Sequence, residues 1–141
     1  IFFDPITHSL GLAHGSRQMT TQKLVTLAVE QMKQEFGTNP NDLHIGIGPG
    51  IKKESYRLEY LDSMFPILQS MKQFVTKNQD NSFNIDLAGI NRGLFVKTGV
   101  KSKNIEVSPI DTANSEDYFS HYRDSRENKL ERRFATIAML I

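Results

Sequence analysis

The feature that most constrains this chain is the alternation of short, strand-like apolar runs with two longer stretches of helical spacing. Leu24, Ala28 and Met32 form one stripe, widened by Val25, Val29 and Phe36. That spacing puts one face of a helix into a core. Thr20 or Thr21 is the expected cap and Gly37 the left-handed stop. Leu87, Ile90, Leu94 and Phe95 make a second stripe, opened by Asp86 and closed by Gly99. Strands are expected at residues 1–3, 9–14, 43–47, 83–85 and 105–107. A third helix is expected to start at Asp62 or Ser63, with Met64, Leu68, Met71 and Val75 on its buried side. Pro66 is compatible with it only in the first turn, where backbone donors lack helical partners. Residues 134–141 are apolar and few, and their length favours a last, central strand. The strand–helix–strand order predicts an α/β architecture of mixed sheets layered with helices. The connectors are too short to divide residues 1–141 into separate domains.

Composition removes several functions. The chain of 141 residues has 17 Lys plus Arg against 16 Asp plus Glu, a net charge of +1. Such a balance gives no general attraction to nucleic acid or to acidic membranes. Cys is absent, so this stretch supplies no thiolate ligand, disulfide or cysteine nucleophile. No apolar run approaches the roughly 18 residues of a membrane helix. The chain opens on Ile1-Phe2-Phe3, which reads as the end of a buried strand, and an upstream portion of the natural protein is expected.

Three places carry chemistry. His14 stands where an apolar run meets a glycine-containing turn, so its imidazole is either a metal ligand or an ordinary half-buried histidine. The four histidines, His8, His14, His44 and His121, do not form a standard zinc spacing. Gly48-Pro49-Gly50 is a loop whose backbone donors suit an anion or a base, or is a plain structural turn. It matches neither a phosphate-loop nor a dinucleotide pattern. Tyr118-Phe119-Ser120-His121-Tyr122-Arg123-Asp124 gathers aromatic rings, hydroxyls, an imidazole and a guanidinium. Such a segment can stack a base and grip a phosphate, or end a helix before the charged run that follows.

These pieces, in their order, resemble the YfiH/YlmD family. The resemblance is carried by Ile1-Phe2-Phe3-Asp4-Pro5, Ser9-Leu10-Gly11-Leu12-Ala13-His14, Ile47-Gly48-Pro49-Gly50-Ile51 with Tyr56, and Asp86-Leu87 with Asn91, Leu94 and Gly99-Val100. Residues 118–124 and Arg133-Phe134-Ala135 complete it. It covers essentially the whole chain but only the C-terminal half or somewhat more of a typical member. Family members carry a polyphenol oxidoreductase, laccase-domain label and are regarded as zinc-dependent purine nucleoside phosphorylases with adenosine deaminase activity.

The resemblance implies a YfiH-like fold, a zinc cofactor, and a purine nucleoside and phosphate as partners, with no nucleic acid or membrane. It implies a cytoplasmic enzyme. Nucleosides in question are adenosine, inosine, guanosine or methylthioadenosine. Zinc in the family is held by two His and one Cys; one His falls on His14, and the other two ligands fall upstream of Ile1. Arg17, Ser120, His121 and Arg123 are the implied substrate contacts. The chain departs from the family pattern in four places. His14-Gly15-Ser16-Arg17-Gln18-Met19 replaces His-Ala-Gly-Trp-Arg-Gly, and Asp111-Thr112 replaces Cys-Thr. Tyr122 stands for the first Arg of Arg-Arg-Asp, and Lys52 for a Gly. Those changes motivate an alternative, a catalytically degenerate homologue that binds a nucleoside or a protein. Copper-dependent phenol oxidation ranks lower, because the chain has no His-X-His pair.

Overall fold

The computed structural model of the chain describes residues 1–61, 65–130 and 132–141. In chain order its elements are β1 (Phe2–Asp4), β2 (Ser9–Gly11), α1 (Arg17–Thr21), α2 (Leu24–Phe36), β3 (His44–Ile47), β4 (Arg57–Leu58), α3 (Phe65–Leu68), β5 (Val75–Lys77), β6 (Phe83–Ile85), α4 (Leu87–Lys97), β7 (Ile105–Val107) and α5 (His121–Arg126). One sheet has the order β2-β1-β3-β7; β1 runs antiparallel to both β2 and β3, and β3 runs parallel to β7. A second, antiparallel sheet has the order β4-β6-β5. The architecture is therefore α/β with mixed sheets, as expected.

The core lies where α2 and α4 pack together and against the first sheet. Val25, Val29 and Met32 from α2 meet Ile90, Leu94 and Phe95 from α4, and Phe2, Ile45 and Ile105 from the strands. Phe2 and Phe95 meet edge to face, 5.4 Å between centroids. Both helices follow their stripes except at Phe36, which is 50% exposed at the end of α2, and both are well terminated. Asp86 accepts the Gly89 N–H at 2.7 Å, and Gly37 and Gly99 take the positive φ that a side chain resists.

Four expectations are corrected. The capping residue in the first helical region is Ser16, whose hydroxyl accepts the Met19 N–H at 3.2 Å. Thr20 is buried within α1, and Lys23 at φ 58° separates α1 from α2. The third helix is a single turn, α3, followed by a 3₁₀ turn at Lys72–Phe74. Val75, expected on its buried face, begins β5 instead, since a β-branched residue opposite Ile85 completes a ladder. The start expected at Asp62 or Ser63, and Met64, lie outside the described residues. Residues 9–14 were expected to be one buried strand, but β2 stops at Gly11 and Leu12, Ala13 and His14 are exposed. Finally, residues 134–141 form no ladder, and Ile137 is 89% exposed. Apolar composition alone cannot make a strand whose backbone groups lack partners.

The β1–β2 turn is built on Asp4. Its Oδ1 accepts the N–H groups of Ile6 at 2.8 Å and Thr7 at 3.3 Å, while Oδ2 is buried with no hydrogen-bond partner among the described residues. Burial alone raises the carboxyl pKa. The nearby Thr38 hydroxyl and the Ile6 and Thr7 donors outweigh it and hold the group below the ordinary carboxylate value. The folded state thus resists protonation more than the unfolded chain does. The stabilisation is complete above the unfolded value of about 4 and is lost as pH falls through the lower, folded value. Urea midpoints measured between about pH 5 and pH 2 should therefore fall more steeply for the wild type than for Asp4→Asn. Parallel profiles would show that Asp4 contributes no such linkage.

Candidate functional site

A cleft of about 1100 Å³ opens along one side of the molecule. Its first wall is the arm that follows β2. Ser16 caps α1 and brings Arg17 into its first turn. Farther along α1, the Thr20 hydroxyl bonds to Ser16 O at 2.9 Å, and the Asn91 amide of α4 reaches Thr20 Oγ1 at 3.0 Å. Asn91 also donates to Leu87 O at 3.0 Å. A buried amide with partners on both helices ties α1 to α4 and fixes the arm that carries His14 and Arg17.

The floor is the glycine–proline loop. Gly50 forms a bridge to Asp111, and its carbonyl accepts the Thr112 N–H at 3.2 Å. Asp111 is the knot of this region. It accepts the N–H groups of Lys52 at 3.2 Å and Ala113 at 3.0 Å, and the side chains of Ser55 and Asn114. Lys52 turns its ammonium to the Ser108 carbonyl. Two of the departures from the family pattern, Lys52 and Asp111, thus lie in direct contact. The Gly50 N–H goes to Ile110 O, so this loop presents fewer free donors than its glycines suggest.

The second wall is α5 and its approach. Ser120 is buried and caps α5, accepting the Arg123 N–H at 3.3 Å. Tyr122 meets Tyr56 edge to face at 5.4 Å, and its hydroxyl donates to Arg57 O at 2.9 Å. The Arg126 guanidinium lies 4.3 Å from the Tyr122 ring centre, and that of Arg132 lies 5.5 Å from the ring centre of Phe119. Burial pushes the Tyr56 phenol up, partly opposed by the Arg17 guanidinium. It therefore stays protonated at neutral pH and can donate a hydrogen bond.

Of the residues expected at the site, His14, Arg17, Ser120 and His121 all line this cleft. Arg123 does not. Its guanidinium donates to Asp124 Oδ1 at 3.1 Å and to the carbonyls of Thr112, Ser115 and Tyr118 at 3.2, 2.8 and 3.1 Å. It clamps residues 112–118 onto α5. Sequence reading missed Tyr56, Asn91 and Arg126 as wall residues. Nothing periodic links Tyr56 to a segment some sixty residues later, so only the fold brings them together.

Arg17, Lys52, Arg126, Arg132 and Arg133 line the cleft, and no Asp or Glu does among the described residues. An aromatic, cationic and acid-free cleft in an α/β scaffold has the chemistry to hold an anion beside a flat, apolar group. The chain belongs to the multi-copper polyphenol oxidoreductase laccase family, whose model matches residues 1–140, and within it to YfiH/YlmD-like proteins. It is 27% identical over 141 residues to purine nucleoside phosphorylase YlmD of Bacillus subtilis (strain 168), a match covering 98% of this chain and 50% of that protein. It is 28% identical over 123 residues to a purine nucleoside phosphorylase of Deinococcus radiodurans, covering 86% and 46%. Among solved structures it resembles the hypothetical protein YfiH of Bacillus licheniformis, with a TM-score of 0.81 and 28% identity over 88% of this chain and 48% of that one. YlmD from Geobacillus stearothermophilus matches with a TM-score of 0.67 and 26% identity, covering 75% and 41%. The chain spans about half the length of the curated relatives it matches. No helix is long and apolar enough to cross a membrane among the described residues.

A protein zinc site needs three or four ligands. Among the described residues no three His, Asp or Glu side chains come together. The residues here do not by themselves hold the ion, although His14 reaches the cleft surface.

Proposed function

We propose that the full-length protein catalyses phosphorolysis of a purine nucleoside in this cleft. The observation that carries the reading is convergence: His14, Arg17, Ser120 and His121, from two distant stretches of sequence, line one cavity. Both curated relatives are named purine nucleoside phosphorylases. In the reaction a phosphate oxygen bonds to C1′ of the ribose as the bond from C1′ to the purine nitrogen breaks. The electron pair leaves with the base, which takes up a proton, and ribose 1-phosphate remains. Arg17 would neutralise the phosphate, the aromatic wall would hold the base, and Ser120 and His121 would contact the sugar or base.

The substrate set in this reading is adenosine, inosine, guanosine or methylthioadenosine. Adenosine deamination, in which a water oxygen replaces the 6-amino group and ammonia leaves, is a second reaction. Zinc belongs to the same proposal: His14 is the one ligand this stretch contributes, and residues elsewhere in the protein supply the rest. Purified full-length protein should release purine from inosine or adenosine with phosphate, equally well without oxygen. His14→Ala should lower zinc content measured by elemental analysis and slow purine release by at least about 100-fold. Wild-type protein that binds no zinc and releases no purine would end this reading.

A further inference from the structure

We infer that the cleft also takes a ligand carrying its own phosphate groups, a nucleoside 5′-mono- or diphosphate. This goes beyond phosphorolysis, because it needs the cleft to bind and not to react. The chain as a whole is nearly balanced, with 17 basic and 16 acidic residues. The cleft is not: Arg17, Lys52, Arg126 and Arg132 line it, without an acidic side chain among the described residues. One inorganic phosphate carries at most about two negative charges near neutral pH, fewer than this lining is built for.

How those cations are held makes the contrast sharper. Outside the cleft, four cations meet carboxylates: Lys33 with Glu30, Arg57 with Asp80, Arg123 with Asp124 and Lys129 with Glu127. On the cleft, Lys52 donates to the Ser108 carbonyl and Arg126 to the Arg57 carbonyl. Arg126 and Arg132 rest on the rings of Tyr122 and Phe119. A neutral carbonyl or a ring face orients a guanidinium without cancelling its charge, and leaves edge N–H groups for a phosphate fork. The aromatic surface and a volume of about 1100 Å³ exceed what a bare phosphate or pyrophosphate fills. Both fit a base and ribose attached to the anion.

The test is titration calorimetry on the full-length protein with adenosine, AMP, ADP, pyrophosphate and a short single-stranded oligonucleotide. ADP is expected to bind at least about tenfold more tightly than adenosine at low salt, with AMP between them. That preference should shrink as salt rises from about 50 to about 200 mM. Arg126→Ala combined with Arg132→Ala should erase the preference for ADP over adenosine, its fold checked by circular dichroism. ADP no tighter than adenosine overturns the inference. So does pyrophosphate as tight as ADP, which marks a bare anion site, or an oligonucleotide tighter than ADP, which marks a nucleic-acid surface. Purine release without an ADP preference would leave phosphorolysis standing and remove this inference; an ADP preference without purine release would do the reverse.

Discussion

Arg123→Ala is expected to lower the unfolding free energy by about 3 kcal/mol, read as a shift of the urea midpoint at unchanged slope. The guanidinium holds three carbonyls of residues 112–118 and the Asp124 carboxylate. Asp124 is buried, so removing its partner leaves a charge with little solvent around it. The figure sits at the low end for breaking a buried pair because the Arg123 side chain is itself 24% exposed. Arg123→Lys should recover only part of the loss, since one ammonium cannot copy a planar fork spread over four acceptors. A direct phosphate contact predicts something else: an unchanged midpoint and a raised KM for phosphate. The two measurements together decide what this residue does.

Gly89→Ala is expected to destabilise the protein by about 2 kcal/mol, although helix propensity alone favours Ala by about 1 kcal/mol. A Cβ at residue 89 would sit 2.6 Å from Phe74 Cδ1 and 2.7 Å from Asp86 Cγ, and closer still to Asp86 Oδ2. Relieving that overlap moves the carboxylate that caps α4 on the Gly89 N–H, at a cost of about 1 kcal/mol for the cap. Gly93→Ala on the same helix is the matched control. Its Cβ would meet the Met71 thioether at 3.2–3.3 Å, a side chain that yields easily. Its expected change is within about 1 kcal/mol of zero. Thermal melts in which Gly89→Ala is the more stable variant would contradict the packing argument.

The two long helices were legible because stripe and termini agree. Val29 and Ile90 fall where the 3.6-residue period puts them, and Asp86, Gly37 and Gly99 mark ends with residues whose backbone chemistry is distinctive. What escaped sequence reading was decided by partners far along the chain. Met71 and Val75 keep helical spacing, yet Val75 finds Ile85 across the second sheet. Residues 134–141 are as apolar as any strand, yet no neighbouring backbone completes them among the described residues. At the site, His14, Arg17, Ser120 and His121 could be named from motif resemblance. Asn91 and Tyr56 could not be assigned a role, because Thr20 and Tyr122, which give them one, lie far away in sequence.

Lys23 illustrates how a small conformational cost shapes recognition. A lysine at φ 58° and ψ 36° is strained by roughly 1–2 kcal/mol relative to a right-handed helix. Without that bend, residues 17–36 would run as one straight rod about 30 Å long. Its leading turn would then follow the axis of α2 instead of lying against α4, and Thr20 would lose Asn91. The reversal of one backbone angle thereby turns the arm that carries the His14 imidazole and the Arg17 guanidinium toward the same hollow.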